Sequence, residues 1–501
     1  MRIAVSDRYM AGNNTIGNEG QSQEALKLRR NAHSKLAKWF ESHAFKEYDS
    51  IVSNDRASEE IPYQWQQAQE WKKLQSTLTE QDMLVAILED RSEQELLSYW
   101  LILEANIKTD IETQYEKAWK KWKRNENAEN TGNIVDMLIS FLIFTGRSGS
   151  FTENLARLSV TLLTSNLNSK SGKLSNAFNN LGVVLYHSGN YKKAKQYYQK
   201  ALNITENSFG LEHVETAMSQ SNLAVLLNEL GDKALAEDLL CQAIATRTKI
   251  LGIDHHETVT ASSNLALILY DNNDFEKALP LFERCLKIRE STLGEFHRET
   301  ATSLNNLALI STDLGKFNDA KILYERAILI DERTLGPNHP DTATTINNFA
   351  IFLYQLKNYE SAESYYRRAL TIREKSLGEC HLLTAGCMNN LAFLMRAKQN
   401  FEDAETYFRK SIKIREAILG ENDPRTLASI SGLASTLYEK SDYENAERLL
   451  KSYISRSNDQ YLTRANQPIK QLMLLIQILR KNGKKDEASE IEIKLKKIDS
   501  E

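Results

Sequence analysis

Five of the nine histidines recur at one register, 42 residues apart, and such a series could form a metal ladder. They are His213, His255, His297, His339 and His381. Positions separated by one helix pair lie on the order of 10 Å apart, which is too far for two of them to share an ion. In the next period the position holds Asp423, followed by Pro424. Asp then Pro is typical of a helix start, so we interpret the register as a helix N-cap and predict no metal site.

The remaining chemistry-bearing residues predict neither an enzyme nor a cofactor site. Cys380 and Cys387 are seven residues apart, and no second pair completes a metal site. Cys241 and Cys285 fall at apolar or small helix positions, which predicts that they pack in the core. The sequence has no G-x-S-x-G or H-E-x-x-H motif, and no nucleophile has a plausible base nearby.

Six Asn residues follow the same 42-residue period, and each directly precedes a large apolar residue. They are Asn180, Asn222, Asn264, Asn306, Asn348 and Asn390. Asn is a mediocre helix former, and its amide offers both donor and acceptor, which suits an extended peptide backbone. We predict a peptide-binding row; the alternative is a hydrogen-bond ladder between repeats.

Two further series share this period. A tyrosine recurs in every second period, six residues after the Asn position: Tyr186, Tyr270, Tyr354 and Tyr438. We assign these to the same binding face because Tyr combines an apolar ring with a polar tip; packing at the core edge is the alternative.

A basic row could form a phosphate track, or a solvated face with i,i+4 ion pairs. It consists of Lys200, Arg284, Arg326, Arg368 and Lys410.

The elements that position these residues follow from the period itself. An alanine recurs every 42 residues without a slip, at Ala194, Ala236, Ala278, Ala320, Ala362, Ala404, Ala446 and Ala488. A glycine closes each period, at Gly210, Gly252, Gly294, Gly336, Gly378 and Gly420. Between them, apolar residues at helical spacing predict two helices per period, separated by a short break such as Gly315-Lys316. One hairpin cannot bury both faces, whereas stacked hairpins can, so the pattern predicts a solenoid.

The pattern L-A/G…G-x-[YF]-x-x-A…[YF]-x-x-A-L resembles the tetratricopeptide repeat. The 42-residue period, with N-N-L-A in the first helix and L-G-x-x-H-x-x-T-A between repeats, resembles the kinesin light chain and nephrocystin-3 type. The resemblance covers about Leu174 to Ile498 and implies a right-handed superhelix whose concave groove contains the Asn positions. Lys494, Lys496 and Lys497 polarise the last helix, which suits a terminal cap.

The chain before the repeats divides into three predicted segments. Residues 1–20 are rich in Gly and Asn and are predicted to be disordered, residues 21–130 form a helical domain, and 131–173 form a degenerate first repeat. In the helical domain, Trp65, Leu74 and Leu78 are predicted to share one helix face. This block resembles the helical linker that follows the nucleotide-binding module in nephrocystin-3-like signal-transduction NTPases.

The P-loop of those NTPases does not occur in this sequence. Gly12 and Gly17 have the glycine spacing, but Asn18 and Glu19 stand where Lys and Ser/Thr must contact phosphate and Mg²⁺. We therefore predict no nucleotide binding by this chain. The net charge of −4, from 63 basic and 67 acidic residues, argues against a nucleic-acid partner.

Together these observations predict an all-α protein: a helical N-terminal domain, then eight tetratricopeptide repeats over 174–501, the last acting as the cap. The predicted function is a non-catalytic scaffold or adaptor that binds a peptide or partner protein in the concave groove. The alternative is the ligand-sensing arm of a signal-transduction NTPase whose nucleotide-binding module is absent from this chain. We expect a cytoplasmic location and no membrane insertion, and the oligomeric state stays open.

Overall fold

The structure is a computed structural model that describes residues 23–43, 54–90, 92–122, 128–165, 171–421, 423–456 and 467–498. Within these ranges all regular secondary structure is helical, which confirms the predicted all-α class. The predicted disorder of residues 1–20 and the glycine-spaced loop at Gly12 lie outside the described residues. The chain divides into two compact units, Met1–Val184 and Leu185–Glu501.

Among the described residues, eight helices precede the regular repeats. They are α1 (Gln23–His43), α2 (Asn54–Gln67), α3 (Trp71–Leu78), α4 (Gln81–Asp90), α5 (Glu93–Ile107), α6 (Ile111–Trp122), α7 (Ala128–Phe144) and α8 (Ser150–Ser165). The last two form a helix pair in the segment predicted to be a degenerate repeat.

Sixteen helices follow as eight helix pairs, which we number repeats 1 to 8. Repeats 1 to 4 are α9 (Ser171–His187) and α10 (Tyr191–Phe209), α11 (Val214–Glu229) and α12 (Lys233–Leu251), α13 (His256–Asp271) and α14 (Phe275–Leu293), and α15 (Arg298–Asp313) and α16 (Phe317–Thr334). Repeats 5 to 8 are α17 (Pro340–Gln355) and α18 (Tyr359–Ser376), α19 (Leu382–Ala397) and α20 (Phe401–Leu419), α21 (Pro424–Glu439) and α22 (Tyr443–Arg456), and α23 (Gln467–Lys481) and α24 (Lys485–Ile498).

The core of the first compact unit is aromatic. Trp65, Trp100 and Tyr115 are fully buried, and the Tyr115 hydroxyl donates to the Leu78 carbonyl at 2.9 Å. The prediction that Trp65 and Leu78 share one helix face is wrong. Gln69 adopts a left-handed φ of 57° after the first helix ends, so these two buried residues lie on successive helices.

The repeats pack as their period predicts. All eight alanines of the series are buried, and their small methyl groups let the packed helices approach closely. The period-closing glycines all have φ between 86° and 97°, a left-handed conformation that favours Gly. Six residues after each glycine, a threonine hydroxyl donates to its carbonyl at 2.7–3.0 Å. This bond fixes each loop between repeats in the same conformation.

Candidate functional site

The histidine register forms helix N-caps, as predicted. In each of the five histidines, Nδ1 accepts the backbone N–H two residues later at 3.1–3.4 Å. Asp423 does the same at 2.9 Å. An Nδ1 that accepts a hydrogen bond carries no proton, and burial lowers the pKa of His297 and His381, which favours the neutral ring. Among the described residues, no three His, Cys, Asp or Glu side chains are placed to hold a metal ion.

The later Asn positions form a ladder between repeats. Nδ2 of Asn348 donates to Oδ1 of Asn305 at 3.1 Å, and Nδ2 of Asn390 donates to Oδ1 of Asn347 at 3.2 Å. In both bonds the acceptor precedes the register position of the previous repeat by one residue, so the partners lie 43 residues apart. These are the bonds that the ladder alternative requires.

From repeat 2 to repeat 4 this ladder is weaker, and the reason is local. In repeats 2 and 3 the acceptor position holds Ser221 and Ser263 instead of Asn. The Ser221 hydroxyl donates to the Ala217 carbonyl at 2.8 Å, and a hydroxyl reaches less far than an amide. Asn306 contacts Ser263 only at 3.5 Å, and within the described part of the chain Asn264 makes no side-chain hydrogen bond.

An apolar stripe lies three residues after the Asn register and shares its helix face. It consists of half-buried residues from five consecutive repeats: Val225, Leu267, Leu309, Ile351 and Phe393. The sequence analysis did not identify this stripe, although its 42-residue spacing is visible in the sequence. Side by side, the stripe and the amides offer an extended ligand apolar contact and hydrogen bonds.

The tyrosine series packs within its own repeats. Each of the four rings lies 5.4–5.7 Å from the aromatic ring that begins the second helix of the repeat. The hydroxyl of Tyr270 also donates to Asp313 of the next repeat at 2.5 Å. These contacts are the ones expected for packing at the core edge. The four rings are half-buried, and their place in a binding groove stays a prediction.

A row of arginines, three of them buried and Arg415 half-buried, is a second series that the sequence reasoning missed. Arg247, Arg289, Arg373 and Arg415 recur at multiples of 42 residues on the second helices. Each donates to the carbonyl oxygen ten residues later at 2.7–3.3 Å, in the first turn of the next repeat. The guanidinium therefore joins adjacent repeats. Repeat 4 holds Asp331 at this position, and burial raises the pKa of Asp331 to about 7.

The basic row is largely committed to ion pairs. Arg284 pairs with Asp254 at 3.2 Å and Arg326 with Glu290 at 3.0 Å, each in the preceding repeat or loop. Arg368 pairs with Glu332 in the same way. The predicted i,i+4 pairs also form, between Arg367 and Glu363 and between Arg409 and Glu405. A solvated, ion-paired face describes this row.

The cysteines divide into two classes. Cys285 and Cys387 are buried, whereas Cys241 and Cys380 are exposed. The prediction that Cys241 packs in the core is therefore wrong. It directly follows the buried Leu240, and one helical step of about 100° turns it away from the core.

In the part of the chain that the structure describes, no helix is both long and apolar enough to cross a membrane.

Comparison with known proteins identifies the repeats. A profile of the tetratricopeptide repeat matches residues 173–249, 242–291, 257–328, 299–375 and 383–459. These segments cover more than half of the chain, which therefore belongs to the tetratricopeptide repeat family. No match among curated protein sequences is found.

Three solved structures illustrate the similarity. BtubC (BKLC) from P. vanneervenii is 22% identical over 41% of this chain and 83% of its own, with a TM-score of 0.34. A putative kinesin light chain from Podosopora anserina is 22% identical over 41% of this chain and 97% of its own, with a TM-score of 0.33. A Rap protein complexed with Competence and Sporulation Factor is 13% identical over 80% of this chain and 100% of its own, with a TM-score of 0.49.

Proposed function

We propose that this tetratricopeptide repeat protein is a non-catalytic scaffold that binds an extended segment of a partner protein across repeats 2 to 6. The binding surface is the apolar stripe from Val225 to Phe393 together with the Asn register beside it. The family supports a protein-interaction role in general. The peptide groove is the specific part of the proposal.

The observation that carries the proposal is the partial exposure of the stripe. Core residues on the same helices are fully buried, as Ala308 and Ala350 are. Leu309 and Ile351 pack against that core with one side only and present the other to solvent. A row of branched apolar side chains, one per repeat, gives an extended chain a contact at each repeat along its length.

The ladder leaves part of each amide for a ligand. An Asn side chain has two N–H donors and one carbonyl acceptor. Asn348 uses one N–H for Asn305, and Asn390 uses one for Asn347. We assign the second N–H and the carbonyl oxygen of each amide to the backbone of a bound peptide. An extended peptide backbone alternates donors and acceptors, which matches these groups.

A displayed library of random 12-residue peptides, selected against the full chain, tests the proposal. Selected peptides are then measured by calorimetry against wild type and against a Leu309→Gln/Ile351→Gln variant. Loss of two half-buried apolar contacts weakens binding by about tenfold or more, at roughly 0.8 kcal/mol per buried methylene. The matched control is Leu329→Gln, an exposed leucine on the second helix of repeat 4, which leaves affinity unchanged.

Two outcomes contradict the proposal. Selected peptides that bind the double variant as tightly as wild type place the ligand elsewhere on the chain. A selection that returns no peptide with micromolar affinity shows that the repeats do not recognise short extended segments. Circular dichroism on each variant confirms that the helix content is retained.

A further inference from the structure

Repeats 2 and 7 meet although they lie far apart in sequence. Nη1 of Arg425, in the first turn of α21, donates to Oε2 of Glu229 at the end of α11, at 3.0 Å. The same guanidinium lies 5.5 Å from the ring centroid of Tyr191, the first residue of α10. An ion pair and a cation–π contact thus converge on one arginine. We call Tyr191, Glu229 and Arg425 the latch.

A second set of contacts joins repeat 1 to repeat 6. Nε2 of His381 donates to the carbonyl oxygen of His187, while Nδ1 of the same ring accepts the Leu383 N–H at 3.1 Å. The N-cap therefore places the ring proton on Nε2, where the long-range bond needs it. The turn at Gly189 also packs closely, because a Cβ there would lie 3.0 Å from side-chain atoms of both Leu382 and Ile418.

The residue types at the latch depart from the period in a way that packing inside a repeat does not explain. The second position of the first helix is acidic in repeats 2 to 5: Glu215, Glu257, Glu299 and Asp341. Acidic residues there complement the positive end of the helix dipole. In repeats 6 and 7, which supply His381 and Arg425 to the long-range contacts, the position holds Leu383 and Arg425 instead.

Arginine at this position is unfavourable within its own repeat. A cation at a helix N-terminus opposes the dipole, and Arg425 offsets this by pairing with Asp423 at 3.1 Å. The other stabilising contacts of the Arg425 guanidinium lie outside its repeat, with Glu229 and Tyr191. A cavity of about 270 Å³ lies beside this contact, lined by both repeats, so the surfaces touch at the latch without fusing into one core.

We propose that the latch closes the second compact unit on itself and that its opening controls access to the repeat groove. Closure is a property of the chain alone. Only the control of access rests on the proposed function. The latch consists of three side chains and its ion pair is partly exposed, so the latch is weak enough to open when a ligand competes with it.

The two exposed natural cysteines allow closure to be measured on the full chain. Cys241 lies in repeat 2 and Cys380 lies just before repeat 6, and Cys285 and Cys387 are buried. With spin labels on Cys241 and Cys380, wild type gives one narrow distance distribution by pulsed electron resonance. Arg425→Glu places two carboxylates together, so the distribution broadens and shifts to longer distance. The Glu229→Arg/Arg425→Glu exchange restores the narrow distribution.

Matched controls separate the latch from general charge effects. Arg409→Glu breaks an i,i+4 pair within one helix and leaves the distances unchanged. Small-angle scattering of unlabelled protein shows the same pattern as an increased radius of gyration for Arg425→Glu alone. Glu229→Gln, which removes only the charge, gives an intermediate broadening and serves if Arg425→Glu loses helix content.

The outcomes distinguish the two parts of the proposal. A wild-type distribution that is already broad, or variants that all retain the narrow one, overturns the latch. If the latch behaves as expected but library-selected peptides bind wild type and Arg425→Glu with equal affinity and rate, control of access is overturned. If no peptide is selected, the proposed function fails while the distance measurements still decide on the latch.

Discussion

The ladder between repeats predicts opposite effects for the same substitution at two register positions. Asn348→Ala removes the hydrogen bond to Asn305, whereas Asn264→Ala removes a side chain that has no hydrogen bond within the described residues. Both substitutions place Ala, a better helix former, in the first helix of a repeat. The pair therefore separates hydrogen bonding from helix propensity.

The expected magnitudes follow from the contacts. Asn305 is buried, so losing its partner leaves an unsatisfied carbonyl oxygen at a cost of about 1–3 kcal/mol. Better helix propensity returns at most about 0.7 kcal/mol. Asn348→Ala should therefore lower the free energy of unfolding by about 0.3–2.3 kcal/mol. Asn264→Ala should leave it unchanged or raise it by a few tenths of a kcal/mol.

Urea unfolding followed by circular dichroism measures both effects on the full chain. A double-mutant cycle with Asn305→Ala isolates the pair and should give a coupling energy of about 0.5–1.5 kcal/mol. A further variant, Asn306→Ala/Asn348→Ala, tests the groove. Its affinity for a selected peptide should fall by roughly 5- to 150-fold if these amides bind the peptide backbone. The reasoning is refuted if Asn348→Ala is no less stable than Asn264→Ala.

Three further predictions concern other parts of the chain. Calorimetry with ATP or GTP should show no micromolar binding, because Asn18 and Glu19 replace the P-loop Lys and Ser/Thr. Deleting 467–501 should lower solubility and melting temperature, because Leu475 and Leu479 then no longer cover the apolar face of repeat 7; an unchanged melting curve contradicts a capping role. Arg373→Met should lower unfolding free energy by about 2–4 kcal/mol through lost buried charged hydrogen bonds, whereas Arg367→Met at an exposed pair should change it by under about 0.5 kcal/mol.

The period of 42 residues made most of the second compact unit predictable. The alanine, glycine and histidine series each impose one local requirement — close packing, a left-handed turn and an N-cap — and local requirements can be read along the chain. The kinesin light chain and nephrocystin-3 likeness and the cytoplasmic location stay predictions.

The direction of the Asn amides could not be read in this way. The residue that accepts the Asn348 hydrogen bond lies 43 positions earlier in the sequence. Only the angle between repeats decides whether the Asn348 amide contacts that residue or a ligand. The same holds for Arg425 and Glu229, which are 196 residues apart. In the first compact unit, the left-handed turn at Gln69 divided a stretch whose apolar spacing alone predicts one helix.

The break in the arginine row at Asp331 has a measurable consequence for stability. Asp331 is buried and accepts a hydrogen bond from the Thr345 hydroxyl at 2.6 Å. Arg298 is the nearby cation, opposed by the charges of Asp341 and Glu332, and burial dominates in raising the pKa to about 7.

A carboxyl group whose pKa is higher in the folded state than in the unfolded chain binds a proton more tightly when folded. Its contribution to stability is complete below about pH 4 and is lost as the pH rises through about 7. At about 1.4 kcal/mol per pKa unit, Asp331 therefore accounts for a decline in the free energy of unfolding of at most about 4 kcal/mol over that range.

Asp331→Asn keeps the size of the side chain and removes its titration. The variant should be more stable than wild type at pH 8, and the difference should shrink towards pH 5. Urea unfolding of both proteins at these two pH values measures this, with exposed Asp313→Asn as the control. Parallel pH profiles for wild type and Asp331→Asn would show that repeat 4 tolerates the charged carboxylate and that the row needs no cation there.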